Sequence, residues 1–263
     1  VELERYGQKI AVHIGIDTGM HRLGTAFCDL EAIEKIFKMK NLRVRGVFTH
    51  MCTADGGDEK SVEFSRRQGE TFLKTVEELK SRGLDCGKIH MLPSYGILNY
   101  PEYAGDYARV GIALYGVKSA REDYDASGAE LMPVMSMKAR VASVRELKAG
   151  ESAGYGLAFT AERDSKIATV TIGYADGYPR GLSCGKGHVL INGQIAPVAG
   201  RICMDQTIVD VTDIDSVHSG DIAVIIGRSG DKEISAYDIA EQTGTITNEI
   251  FSRLGSRLQR FMV

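Results

Sequence analysis

The chain has no pair of cysteines at CxxC spacing, no long apolar run, no internal repeat, no low-complexity tract and no excess charge of one sign. Each absence closes off a class of protein. Its five cysteines, Cys28, Cys52, Cys86, Cys184 and Cys203, are odd in number and scattered. That reads as reduced intracellular thiols rather than a disulfide frame or a zinc site. No apolar run approaches the roughly 20 residues that cross a bilayer. The first residues, Val-Glu-Leu-Glu-Arg-Tyr-Gly, lack the basic and apolar regions of a signal peptide. They also lack an initiator methionine, so the expectation is a chain that was cut or begins part-way. A formal net charge of -3 gives no electrostatic reason to expect a nucleic-acid partner.

What remains is an ordinary globular composition. Across 263 residues, 43% are apolar and 25% charged, enough for one large domain or two ordinary ones. The first half alternates strand and helix. Residues 9–17 (KIAVHIGID), 44–50, 88–92 and 110–115 read as strands. Residues 29–40 carry Leu30, Ile33, Ile36 and Phe37 at helical spacing. Residues 58–82 read as a long amphipathic helix stopped by Gly83. Such alternation predicts a parallel sheet with helical crossovers, and on pattern alone both a doubly wound sheet and a barrel are open. Four such units are too few to close an eight-stranded barrel.

The polar stretch 119–133 marks a boundary, giving domains of 1–130 and 131–263. Beyond it the pattern is β-rich, with strands expected at 135–147, 166–172, 188–191, 195–198, 207–211 and 221–226. Asn192-Gly193 between two apolar runs signals a two-residue hairpin, because both residues must take positive φ. Ser235 with Asp238 opens a short helix in a capping-box pattern. Residues 248–258 read as a further helix or turn.

Several residues have chemistry at places where a parallel α/β fold puts its sites, the carboxyl ends of strands. Asp17-Thr18-Gly19-Met20-His21-Arg22 follows a strand and suits an anion, or is simply a turn with a solvated arginine. His50 ends a strand, where a lone histidine is more often structural. Ser94 and the run Arg109-Val110-Gly111-Ile112 offer a hydroxyl and backbone amides, a phosphate cradle without lysine or ordinary loop chemistry. Tyr155, between Gly154 and Gly156, is a poor base at the reference tyrosine pKa of about 10 unless that value is lowered.

Together, IDTGMHRLG, FTHMCTAD, YARVGIALYG, GESAGYGL, TIGYADGY and GRICMDQ resemble the alanine racemase family in order and spacing. The resemblance covers the chain from about Ala11 onward and roughly the last two-thirds of such an enzyme. It implies the C-terminal part of a (β/α)8 barrel followed by a mostly-β domain, with pyridoxal 5'-phosphate as cofactor and a small amino acid as substrate. By the same resemblance the family works as a homodimer with shared active sites. Tyr155 exchanges the Cα proton in the partner's site, and His50 hydrogen-bonds that tyrosine. Arg109 faces the pyridine nitrogen, while Ser94, Gly111 and Ile112 hold the phosphate. Arg22 and Met204 hold the substrate carboxylate, and Tyr174 and Asp205 line and shape the pocket.

Three departures stand out. The family's cofactor lysine lies on the first barrel strand, in a segment like AVVKADAYGHG, and nothing here resembles it. Without it these residues alone are expected to be inactive. Gly15 stands where many members have a CO2-modified lysine bonded to the arginine. Asn248 stands where they have a tyrosine, which frees room and offers hydrogen bonds to a hydroxymethyl group. The combination resembles the serine racemases of the vancomycin-resistance type, which supply D-serine for cell-wall precursors. Those carry the racemase domain behind a membrane domain, on its cytoplasmic side. The competing expectations are a racemase seen in part and a non-catalytic module that kept the fold. A decarboxylase of the same structural class fits the GYGL and GYADG segments less well. A part-barrel is also expected to expose strand edges and to aggregate or need its other half.

Overall fold

A computed structural model describes residues 7–262. The chain divides into two compact units: residues up to Gly116 with Glu122–Met132, and Val117–Arg121 with the residues from Pro133 on.

The first unit is parallel α/β. Strand β1 (Ile10–Asp17) buries Ile14 and Ile16 on one face and alternates His13, Gly15 and Asp17 onto the other, as a pleated strand must. After it come the two-residue β2 (Thr25–Ala26) and helix α1 (Leu30–Phe37), which Asp29 caps by accepting the Ala32 amide at 2.9 Å. Strand β3 (Leu42–Phe48) then leads to helix α2 (Glu59–Ser81), capped by Asp58. Its buried stripe, Ser65, Gln68, Phe72, Thr75, Val76 and Leu79, has the three- and four-residue spacing of one helix face. Gly83, at φ +80°, ends it, with the Leu84 amide reaching back to the Leu79 carbonyl at 3.1 Å. Strand β4 (Lys88–His90) and the short helix α3 (Ser94–Asn99) follow. The sheet order is β2-β1-β3-β4, all parallel.

Residues 110–115 are not the strand that their apolar pattern predicts. Arg109 makes an isolated parallel bridge to Pro93, and Ile112–Tyr115 form a 3-10 turn. The Ser94 hydroxyl accepts the Gly111 and Ala113 amides at 2.9 and 3.3 Å. Those donors are thereby withdrawn from any ladder.

The second unit is antiparallel. Its strands are β5 (Met137–Leu147), β6 (Ser152–Ala153), β7 (Phe159–Thr160), β8 (Ser165–Val170), β9 (His188–Ile191), β10 (Gln194–Pro197), β11 (Thr207–Asp210), β12 (Ile222–Ser229) and β13 (Lys232–Ile234). Seven of them form one sheet in the order β10-β9-β12-β5-β8-β11 with β13 beside β12, and β6 pairs with β7. The β9–β10 turn has Asn192 at φ +49° and Gly193 at φ +75°, the two positive values its sequence demands. Helix α4 (Ala236–Thr243) starts at the Ser235–Asp238 capping box, and α5 (Thr247–Ser252) is shorter than the 248–258 expected. Among the described residues no helix is long and apolar enough to cross a membrane.

The first unit leans on the α2 stripe, where Phe72 and Leu79 are fully buried. Phe72→Ala should cost about 3–5 kcal/mol, read as a lower urea midpoint by circular dichroism.

Candidate active site

Functional side chains of the first unit collect at the carboxyl ends of β1, β3 and β4, around Arg109. Its Nη2 donates to the Thr49 carbonyl at 2.7 Å and the Met91 carbonyl at 3.3 Å, and faces His50 Nδ1 at 3.2 Å. Nη1 donates to the His90 carbonyl at 3.2 Å and faces His90 Nδ1 at 2.5 Å. The guanidinium carbon lies 5.3 Å from the centroid of the Phe48 ring, a cation–π distance. A guanidinium has only donors. Both Nδ1 atoms must therefore be bare acceptors, and both imidazoles neutral with their proton on Nε2.

The electrostatics agree. Burial, then Arg109 and Arg22, push the His50 pKa below its ordinary value. Burial, then Arg109 and His13, push His90 down to about 4. His50 keeps its Nε2–H, which has no acceptor among the described residues. Its backbone is fixed from behind by Gln68, buried on α2. Gln68 Nε2 donates to the His50 carbonyl at 3.2 Å and to Thr18 Oγ1 at 3.2 Å, and its Oε1 accepts the Cys52 amide at 3.0 Å. Thr18 and Thr49 hydroxyls meet at 2.8 Å.

Beside this cluster the loop after β1 folds on Asp17, which accepts the Gly19 and His21 amides at 2.9 and 3.1 Å. Burial raises the Asp17 carboxyl, but those amides and the His21 ring outweigh it and hold it below the usual carboxylate value. Gly15, Asp17, Met20, Arg22, Phe48 and His50 line a cavity of about 40 Å3. The Arg22 guanidinium has no hydrogen bond or ion pair among the described residues. A Cβ at Gly15 would meet Leu23 Cδ1 at 3.2 Å and the Phe48 ring at 3.3 Å.

Ser94 sits at the start of α3, buried. The Gly111 amide is not free, because Ser94 Oγ accepts it. The hydroxyl uses its lone pairs in this and so retains its own proton to donate. The Ile112 amide has no acceptor among the described residues, and a Cβ at Gly111 would meet nothing nearer than 3.8 Å. The Ser94 hydroxyl proton and the Ile112 amide are thus both left to donate, next to a residue without a side chain.

In the second unit Tyr155 stands in a 3-10 turn between Gly154 and Gly156, at φ +77° and +70°. Tyr155 and Leu157 are 67% and 69% exposed. The Tyr174 and Ala175 amides donate to the Cys203 and Met204 carbonyls at 3.0 Å each. Two loops are thereby locked main chain to main chain, and a Cβ at Gly173 would lie 2.3 Å from the Met204 carbonyl. Asp205 pairs with Arg257 at 2.7 Å, and Arg257 also holds Asp176 at 2.8 Å. Asn248 is exposed in the first turn of α5.

The alanine racemase N-terminal domain matches residues 2–119 and the alanine racemase C-terminal domain residues 134–262. An alanine racemase of Carboxydothermus hydrogenoformans is 40% identical over 99% of this chain and 70% of its own length. The chain belongs to the alanine racemase family. An amino-acid racemase of Enterococcus faecalis is 46% identical over 97% of the chain, of which the match spans 36% of that protein. The Bacillus anthracis alanine racemase, solved with bound L-Ala-P, superposes with a TM-score of 0.88 at 32% identity, covering 98% of this chain and 66% of that one. The fold is the family's, a barrel-type α/β part followed by a mostly-β domain.

Alanine racemases depend on pyridoxal phosphate. The donors at Ser94 and Ile112 and the held Arg109 fit the anionic and pyridine ends of that cofactor. The aldehyde end has no counterpart. Lys9 and Lys88 lie at the amino ends of β1 and β4, and the unit's other lysines lie on or just after α1 and on α2. None of the first unit's described lysines stands at a strand's carboxyl end.

Sequence reading did not single out His90, Gln68 or Arg257. His90 carried the same signal as His50, a histidine at the end of an apolar strand. Gln68 was legible as a polar residue on the apolar stripe of α2. Arg257 carried none.

A native-state pKa depressed to about 4, against about 6.5 unfolded, means the unfolded chain takes up a proton the folded one refuses. Stability contributed by His90 is full above about pH 6.5 and is lost as pH falls toward 4. Urea midpoints measured across that window should fall, and His90→Gln should flatten the slope.

Proposed function

We propose that these residues form the larger part of a pyridoxal-phosphate-dependent amino-acid racemase that interconverts L- and D-serine, and alanine second, for peptidoglycan precursors. The observation that carries the reading is Arg109, a permanent cation fixed by three backbone carbonyls and two neutral imidazoles. When bound, the cofactor supplies an electron sink for the pair left at Cα as its proton departs. The Nε–H of Arg109, which has no partner among the described residues, would face the pyridine nitrogen, and a guanidinium cannot give that nitrogen a proton. That limits the sink and favours simple racemisation over side reactions.

Tyr155 Oη takes the Cα proton on one face and returns it, acting in the site of a second copy of the chain. Its turn, which puts an aromatic and a leucine side chain into solvent, supports such a homodimer. His50, kept neutral at Nδ1 by Arg109, has an Nε2–H left to donate to the tyrosine oxygen. A hydrogen bond to the phenolate favours that charged form. The Ser94 hydroxyl and the Ile112 amide hold the phosphate, with Gly111, whose amide Ser94 takes, leaving room for it, and Arg22 and Met204 stand at the substrate carboxylate. Tyr174 and Asp205 shape the pocket, and Asn248 bonds the serine hydroxymethyl. The setting is cytoplasmic, as the resemblance implies.

The opposite face of Cα needs its own proton carrier. With no lysine at the carboxyl end of a first-unit strand among the described residues, these residues alone should not racemise. That same absence favours the second reading, a module with the fold and no chemistry.

The discriminating experiment joins the chain to the part of an alanine racemase it does not span and follows Cα proton exchange into heavy water. Exchange in L-serine, faster than in L-alanine, is expected. Tyr155→Phe should lower it by about 100-fold or more, and Asn248→Tyr should shift preference toward alanine. No exchange in a folded, cofactor-loaded protein would favour the module. Exchange with an unmoved preference in Asn248→Tyr would remove the assigned role of Asn248.

A further inference from the structure

His90 does not end the chain of contacts behind Arg109. Its Nε2 meets His13 Nδ1 at 2.7 Å, with ring centroids 4.9 Å apart. His13 is on β1 and His90 on β4, with β3 between them. Two features make this reach across a strand fit. The β1–β3 register shifts between Val12 and His13, a bulge of the kind that re-aims a side chain. Opposite it stands Gly46, where a Cβ would lie 2.6 Å from both Cε1 and Nδ1 of His13. Any other residue there would occupy the space the imidazole crosses.

We propose that His13 is a positioning residue that fixes the tautomer of His90 and through it the orientation of Arg109. Hydrogen-bond polarity dictates the direction. Arg109 only donates, so His90 Nδ1 accepts and His90 Nε2 carries the proton. His90 Nε2–H then donates to His13 Nδ1, and neutral His13 carries its own proton on Nε2. A proton on His13 Nδ1 would force His90 Nε2 to accept and its Nδ1 to carry hydrogen. Two donors would then face each other between His90 and Arg109. Around the His13 end stand the Tyr107 ring, 6.3 Å away and stacked, and the charged side chains Arg45, Asp85, Lys88 and Asp106, which line the same open cleft. Lys88 and Asp106 pair with each other at 2.8 Å.

The inference takes from the proposed function only that Arg109 is the group to be held, and it is testable in the chain without cofactor. Long-range proton–nitrogen NMR correlations of the 263-residue chain near neutral pH report which nitrogen of each imidazole is protonated. His90 should show Nε2–H and a bare Nδ1. In His13→Leu the His90 ring should become a tautomer mixture, and the Arg109 side-chain N–H groups should exchange about tenfold faster, the loss of roughly one hydrogen bond. His13→Asn, which keeps an acceptor at the Nδ1 position, should restore both. A protonated Nδ1 on wild-type His90 overturns the proposal even if the variants do not fold. So does an unchanged tautomer and exchange rate in folded His13→Leu. Racemisation is not the readout, so failure of the racemase reading would leave this result intact.

Discussion

The first unit is organised by the need to satisfy one half-buried guanidinium. At the carboxyl edge of this sheet the Thr49 and Met91 carbonyls have no main-chain donor among the described residues, and the His90 carbonyl keeps a lone pair beside the Thr49 amide it accepts at 3.3 Å; a buried carbonyl without a donor is costly. Arg109 meets that need at Thr49, His90 and Met91 at once. The carbonyls in turn spread its charge over a rigid frame. With the plane of the guanidinium fixed, Nη1 and Nη2 also point at His90 and His50, and the protonation of the two rings follows from geometry rather than from solution pH. Gln68 and the Thr18–Thr49 pair then hold the backbone of β3 against sliding. Removal of any one of these groups leaves another with a donor or acceptor unmet, so the cluster behaves as a unit.

The second unit reaches rigidity in another way. Its loops carry exposed side chains, Tyr155, Leu157, Tyr174 and Met204, on backbone that is not free. Gly173 allows one loop to lie directly on the carbonyls of Cys203 and Met204. Arg257 clamps the same two loops through Asp176 and Asp205. Tyr174 and Met204 are thus exposed side chains presented from main chain that has little freedom left.

Local signals in the sequence were strong where the interaction is local. The Asn192-Gly193 turn, the Ser235 capping box, the Gly83 stop and the α2 stripe each depend on residues within one or two turns of each other. Residues 110–115 misled because their apolar pattern says nothing of Ser94, whose hydroxyl takes the Gly111 and Ala113 amides from 17 and 19 positions away. The helix at Ser94 itself is too short to show a periodicity. His13, His90 and Arg257 are visible as letters, but their partners lie 77, 19 and 52 or 81 residues distant, and only the fold supplies those pairings. The resemblance points to Arg109 and His50 but not to what keeps the histidine neutral.

That neutrality has an electrostatic consequence for the site. Arg109 and Arg22 are both cationic and both act on His50. The one carboxylate in the cavity wall, Asp17, is spent on the amides of its own loop and on His21. Neutral imidazoles add no charge, but neither do they cancel any. The carboxyl edge of this sheet is therefore net positive, with one cation locked and the other, Arg22, exposed and without an ion pair among the described residues. Such a field favours small anionic groups and rejects further cations. It also explains why a histidine rather than a lysine suits position 50. A third fixed cation here would be expelled or deprotonated, whereas an imidazole yields its proton at little cost and keeps one N–H for use.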